Sequence, residues 1–168
     1  MSYGIEPLAA GHDLHAFDCG HDAPNTWLRK HAERAVRQRT RTYLLVEEAT
    51  GAVVGYFAVA PHLLEREDAP PSVRHGALQR IRAILLAKLA LDARLQSQGL
   101  GAELLVHALT TIVTAARAAG GRIVVVDAVE EKAASFYRAH DFQPSPTDPR
   151  RLIMHLSTAA HVLGITWP

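Results

Sequence analysis

The sequence predicts an α/β fold on a mixed sheet, and three observations carry that prediction. Two nearly continuous apolar runs, Ala83 to Leu91 and Ile123 to Ala128, bracket a long helical pattern from Gly99 to Ala119, which reads as a βαβ unit. Thr42 to Glu47 and Ala52 to Ala60, rich in Val, Tyr, Leu and Phe, flank Ala49-Thr50-Gly51 and read as a β-hairpin. The 168 residues, set against about 150 per domain, suit one domain spanning 1–168 and leave no room for a second catalytic one.

Each element has a local reason. Asp22 to about Arg39 forms an amphipathic helix, capped by Asp22 or Asn25, with Leu28, Ala32, Ala35 and Val36 on its apolar face. Both hairpin strands are expected to be half buried. Pro61 to Arg82 turns polar and irregular, with Pro61, Pro70 and Pro71, and reads as a long loop holding at most a helical turn. Ala83 to Leu91 follows as a central strand covered on both faces. In the long helix Leu104, Ala108, Thr111, Ile112 and Ala115 form the buried side, and Gly120-Gly121 ends it. Glu131 to His140 is a short helix and Leu152 to Leu156 a last strand.

Composition excludes several classes. A chain that is 48% hydrophobic and 21% charged, with a net charge of +1, is neither disordered nor a globally charged nucleic-acid or membrane protein. A lone cysteine, Cys19, forms no internal disulfide or cysteine zinc cluster and fits a reducing compartment. No secretory leader is read in Met1 to Asp13. Lys88 and Glu103, His107 and Arg117 interrupt the most apolar stretches, so no membrane span is expected and the cytoplasm is the expected location.

Charge is concentrated locally. Lys30, Arg34, Arg37 and Arg41 share helical spacing, with Arg29 and Arg39 beside them and only Glu33 opposing, a local +5 in a chain of +1. Three readings stay open here: a phosphate-binding face for nucleic acid, a docking face for an acidic partner segment, and a merely solvated helix face. Arg82, Lys88, Arg94, Arg150 and Arg151 are candidates to extend it.

Between the central strand and the long helix stands Gln96-Ser97-Gln98-Gly99-Leu100-Gly101, a Q-x-x-G-x-G sequence. Glycines opening into a helix N-terminus aim unpaired N–H groups and the helix dipole at one spot, which suits a pyrophosphate; the alternative is a tight turn with close packing. The lysine of a P-loop and the Rossmann glycine spacing are both absent.

In this strand and helix order, Val53 to Phe142 resembles the GCN5-related N-acetyltransferase (GNAT) family, whose acetyl-CoA site uses Q/R-x-x-G-x-G/A after a central apolar strand. The resemblance implies a mixed, mostly antiparallel sheet with a splayed central strand pair flanked by helices. It assigns pantetheine pairing to the backbone of Leu89 and Leu91, and pyrophosphate binding to the loop of Gln96, Ser97, Gln98, Gly99, Leu100, Gly101 and Ala102. Phe17-Asp18-Cys19-Gly20, Val54 to Ala60, Ala87 to Asp92 with Leu95-Gln96, and Phe136-Tyr137 are further similar to the TacT/AtaT-type GNAT toxins of bacterial toxin–antitoxin pairs. That narrower resemblance implies acetylation of aminoacyl-tRNA, a homodimer, and a ribbon-helix-helix antitoxin as partner. One departure is Asp141-Phe142 where such proteins have Gly-Phe, which places an Asp at a left-handed turn.

Acetyl transfer to an amine needs an acid for the departing thiolate, and Tyr137 is the candidate; the alternative is a purely packing aromatic beside Phe136. A backbone N–H near Leu91 would face the oxyanion. Asp127, Glu130 and Glu131 read as a solvated helix start rather than a base, and an aminoacyl ester's α-amine is acidic enough for solvent to deprotonate it. None of the ten histidines has metal-ligand spacing, so no metal is expected. The rival functions are a GNAT enzyme for a small amine or protein lysine, and a non-catalytic acetyl-CoA-binding or co-repressor module.

Overall fold

The structure, a computed structural model, describes residues 2–168. In chain order it contains β1 (Tyr3–Pro7), α1 (Asp22–Lys30), α2 (Ala32–Ala35), β2 (Arg41–Glu47), β3 (Val53–Glu65), α3 (Pro71–Arg74), β4 (Arg80–Leu91), α4 (Leu100–Ala119), β5 (Ile123–Asp127), α5 (Glu131–Ala139), β6 (Gln143–Pro144), β7 (Arg151–His155) and α6 (Leu156–Leu163). The seven strands form a sheet in the order β1-β2-β3-β4-β5-β7-β6. β1–β2, β2–β3, β5–β7 and β6–β7 pair antiparallel and β4–β5 parallel, so the sheet is mixed and mostly antiparallel. The parallel pairing runs from Ala83 opposite Ile123 to Leu86 opposite Val126, and β4 continues beyond it to Leu91.

The chain divides into two compact units. The first holds residues up to Ala60 together with Ala87–Ala108, and the second holds Pro61–Leu86 with Leu109–Pro168. In the first, Phe17, Cys19, Leu28, Ala32, Leu44, Val46, Val53 and Tyr56 form the core. In the second, Leu64, Ala69, Val73, Ile81, Ala83, Ile123, Val125 and Ile153 do so. Each buried Leu, Ile, Val or Phe among them contributes about 1.5–3 kcal/mol of transfer free energy.

Several expectations are corrected. The segment Pro61 to Arg82 is not a long loop: β3 runs through Pro61 to Glu65 and β4 begins at Arg80. Leu63 is exposed and Leu64 fully buried, and Ile81 is buried between exposed Arg80 and Arg82. That period-two alternation marks strand, but Pro61 reads as a stop unless its missing N–H falls where no ladder bond is needed. The helix from Asp22 is also not continuous. It kinks at His31, whose φ of −119° opens the turn, and ends in a 3-10 turn closed by Arg39 at φ 68°. Neither Asp22 nor Asn25 caps it, since His21 holds that position, and Val36 is 43% exposed rather than packed.

In α4 the buried face is Leu104, Leu105, Ala108, Leu109, Ile112, Val113 and Ala116, whereas Ala115 is exposed and Thr111 half-buried. By length and composition α4 could cross a membrane, but this apolar face is buried in the protein. The far half of β4, Ala87 to Ala90, is half-buried rather than covered on both faces. The last strand stops at His155, and Leu156 opens α6 instead. β1, β6 and α6 lie in stretches whose patterns are too short to read.

Asp141 does adopt the left-handed conformation, at φ 70°, and Phe142 behind it is 3% exposed, so the Gly-Phe geometry survives without the glycine. Replacing Asp141 by Gly should stabilise the protein by about 0.5–1 kcal/mol, because the left-handed penalty removed exceeds the extra unfolded-state freedom of glycine. A urea titration should show a higher midpoint at unchanged slope. A lower midpoint would mean that the Asp141 side chain contributes more than its backbone costs.

Candidate active site

In the first unit, residues Asp92 to Ala102 carry the chain from β4 into α4. Asp92 is 2% exposed, and its carboxylate accepts from the backbone N–H of Arg94 at 3.0 Å, Arg94 Nε at 2.9 Å and the backbone N–H of Asp18 at 3.4 Å. Burial alone would raise its pKa, but the Arg94 side-chain and backbone hydrogen bonds and the Asp18 amide outweigh it and hold the carboxyl below its ordinary value. The carboxylate thus caps the 3-10 turn Ala93–Leu95 that launches the loop.

Past that turn Ser97 and Gly99 stand at φ 65° and 80°. A Cβ built on Gly99 would meet nothing within 4 Å, so the glycine answers to its backbone angle, and open space in front of it lets a ligand reach the main chain. Leu100, Gly101 and Ala102 form the first turn of α4, whose N–H groups have no acceptor within the helix. A twenty-residue helix stands behind them with its positive dipole end at this spot. The residues present fit a pyrophosphate.

The glutamine side chains do something else. Gln96 Nε2 donates to the carbonyls of Leu91, at 2.9 Å, and Cys19, at 3.0 Å, while Gln98 Nε2 donates to the Arg94 carbonyl at 3.3 Å. With these amides bonded to carbonyls, the donors left facing the open space are main-chain N–H groups. Leu91 is buried and Leu89 half-buried on the last stretch of β4.

The braces around the loop include residues the sequence did not single out for this role. Asn25 is 6% exposed, accepts from the Cys19 N–H at 2.9 Å and donates to Asp18 Oδ1 at 2.9 Å. Arg29 donates to the carbonyls of Leu14, His15 and Phe17, so it is a strut and not part of the exposed cationic stripe. Asp92, an acid directly after an apolar strand and two residues before an arginine, was the legible signal. Cys19 is buried, and burial pushes its thiol pKa up, away from reactivity.

The predicted cationic residues Lys30, Arg34, Arg37 and Arg41 are all exposed, Arg41 at the start of β2 rather than on the helix. Trp27, His31, Arg34, Ala35, Arg37 and Gln38 line an open groove of about 500 Å³. The Lys88 ammonium lies 5.6 Å from the centre of the Trp27 ring, which stacks on Tyr56 at 5.9 Å. Arg94 is engaged by Asp92 and does not extend the stripe freely.

In the second unit, Tyr137 on α5 is 6% exposed and packs edge-on against Phe136 at 5.3 Å and Phe142 at 5.5 Å. Among the described residues none hydrogen-bonds its hydroxyl. Burial raises its pKa, so the phenol stays protonated across the physiological range. The nearby acids are committed elsewhere: Asp127 holds Arg151 through two hydrogen bonds of 2.7 and 2.9 Å, and Glu131 pairs with Arg138. Arg150 donates to the Val129 carbonyl. His62 carries a buried Nε2 without a partner, and burial and then Arg151 lower its pKa, leaving a neutral ring. His12 contacts the Ala9 backbone and His140 the Phe136 carbonyl at 2.8 Å. Among the described residues no group of three metal-ligating side chains comes together.

The sequence pattern of the acetyltransferase (GNAT) domain matches residues 39–144. The chain belongs to the GNAT acetyltransferase family. It is 35% identical over 153 residues to a tRNA-acetylating toxin of Mycobacterium tuberculosis strain H37Rv, covering 90% of this chain and 91% of that one. Its structure is similar to that of AtaT complexed with acetyl-methionyl-tRNAfMet, with a TM-score of 0.87 and 30% identity over 96% of this chain and 99% of the other. It is similar also to a tyrosine-to-phenylalanine mutant of AtaT bound to the C-terminus of the antitoxin AtaR and acetyl-CoA, with a TM-score of 0.81 and 29% identity over 98% and 99%. For this GNAT chain, the Q-x-x-G-x-G loop thus stands on a turn held by a buried carboxylate, and Tyr137 is a largely buried, protonated phenol.

Burial raises the pKa of Tyr56 as well as that of Tyr137, above the ~10 of an unfolded phenol. Stability from this source is complete below about pH 10 and falls as pH rises above it, since the unfolded chain then releases protons that the folded chain keeps. Denaturation midpoints followed from about pH 8 to about pH 11 should decline above pH 10, and Tyr137→Phe should decline less steeply. Equal slopes would mean that Tyr137 titrates as an exposed phenol does.

Proposed function

We propose that this acetyltransferase moves the acetyl group of acetyl-CoA onto the α-amino group of aminoacyl-tRNA, blocks translation by doing so, and is the toxin of a toxin–antitoxin pair. The observation that carries the reading is its likeness along nine-tenths of the chain to a tRNA-acetylating toxin. The AtaT complex with acetyl-methionyl-tRNAfMet supports it. We further propose that residues 1–168 act as one domain, that the protein is a homodimer in the cytoplasm, where charged tRNA is found, and that its antitoxin has a ribbon-helix-helix domain.

In this reading the N–H groups of Gly99 to Ala102 hold the pyrophosphate, and the backbone of Leu89 and Leu91 pairs with the pantetheine arm as a neighbouring strand does. The α-amine attacks the thioester carbonyl, a backbone N–H near Leu91 faces the oxyanion, and the C–S bond breaks as the amide forms. Tyr137 gives its proton to the departing thiolate, and the proton lost by the amine passes to water. A base is not required, because the ester lowers the basicity of the amine, and Asp127 and Glu131 are held by Arg151 and Arg138. Lys30, Arg34, Arg37 and Arg41 contact tRNA phosphates.

With labelled acetyl-CoA and charged total tRNA, N-acetyl-aminoacyl product should form, and uncharged tRNA should stay unlabelled. Tyr137→Phe should lower kcat by about 10²- to 10⁴-fold at unchanged KM for acetyl-CoA. Label on a polyamine or protein lysine instead would replace the substrate, and unchanged kcat in the variant would remove Tyr137 from the chemistry. Arg34→Ala with Arg37→Ala should raise KM for charged tRNA and flatten its log–log salt dependence by roughly two. An unaltered salt slope would mean that these cations are only solvated.

A further inference from the structure

The loop that receives acetyl-CoA and α1, the helix that leads into the cationic stretch, are joined by a dense polar seam within the first unit. Gln96 is its keystone. Its Nε2 lies within hydrogen-bond distance of two carbonyl oxygens, Leu91 at 2.9 Å and Cys19 at 3.0 Å. An amide NH2 has two hydrogens to give, so both are spent on these carbonyls and none faces the space in front of Gly99.

The two carbonyls belong to distant parts of the chain: Leu91 ends β4, and Cys19 leads into α1. Parallel ties reinforce the link, since the N–H of Ala93 donates to the Asp18 carbonyl at 2.9 Å and the N–H of Asp18 to Asp92. On its other side the same segment is fastened to α1 by Asn25, through Cys19 and Asp18, and by Arg29. The segment of residues 14–20 is therefore gripped between the loop and α1, the helix that ends at Lys30 and leads to Arg34 and Arg37.

We infer that Gln96 is a positioning residue that locks the loop Gln96–Ala102 to α1, fixing at once the acetyl-CoA cradle and the place at which the cations meet the amine substrate. The inference rests on the reading of this loop as the acetyl-CoA cradle. A guanidinium in place of the amide also carries N–H donors able to serve two carbonyls, whereas a Glu of the same shape has none.

The test compares Gln96→Glu, Gln96→Ala and Gln96→Arg by hydrogen exchange of the ligand-free protein and by steady-state kinetics. In the Glu and Ala variants, amides of Cys19 and Gly20, of the first turns of α1 and of the loop should exchange at least about tenfold faster, while β5 and β7 keep wild-type protection. KM for acetyl-CoA should rise about tenfold, and Gln96→Arg should restore both readouts to within about threefold. If the Glu variant does not fold, the contrast between Ala and Arg decides.

Unchanged exchange at residues 19–29 with a raised KM for acetyl-CoA would make Gln96 a direct ligand and overturn the inference. Failure of Arg to restore protection would overturn it too. The exchange arm contains no acetyl-CoA, so it stands or falls apart from the proposed function. Wild-type protein that binds no acetyl-CoA would sink the function and leave the lock intact.

Discussion

Asp92 is the interaction on which the first unit's site depends. A carboxylate that is 2% exposed is tolerable only when hydrogen bonds repay its lost hydration, and here Arg94 and the Asp18 amide supply them. Because one oxygen caps the turn Ala93–Leu95 and the other reaches Asp18, the carboxylate fixes the exit from β4 and the entry to α1 together. The loop can then place Ser97 and Gly99 in left-handed conformations that would otherwise fluctuate. A rigid frame around a strained turn lets several main-chain N–H groups converge without any positively charged side chain.

The second unit solves a different problem by exclusion. Phe136 and Phe142 meet the Tyr137 ring edge-on, and Phe142 is delivered there by the left-handed turn at Asp141. Burial among aromatic rings disfavours the charged phenolate, which keeps Tyr137 in its acid form. Asp127 at the end of β5 and Glu131 at the start of α5 are paired with Arg151 and Arg138. The cations are likewise concentrated in one stretch of a nearly neutral chain.

What the sequence made legible follows from how local each signal is. The parallel pair β4 and β5, the hairpin of β2 and β3, the helix before Gly120 and the Q-x-x-G-x-G loop all announce themselves within a window of ten to twenty residues. Strand residues beyond Pro61 did not, because a proline within a strand is readable only once its neighbours are known. The role of Gln96 was invisible for a similar reason. Its two acceptors are five and seventy-seven residues away, and no spacing rule connects Cys19 to the loop. Arg29 sits among the cations in sequence yet turns toward three carbonyls, which the helical period alone does not distinguish from a phosphate-facing side chain.

If main-chain N–H groups held by the Asp92 and Gln96 braces form the acetyl-CoA cradle, a crystal structure of the protein with acetyl-CoA will show it. Pyrophosphate oxygens should lie within hydrogen-bond distance of the N–H groups of Gly99 to Ala102, with the Gln96 amide still on the carbonyls of Leu91 and Cys19. A pyrophosphate bound away from this loop, or a Gln96 amide swung onto a phosphate oxygen, would contradict it.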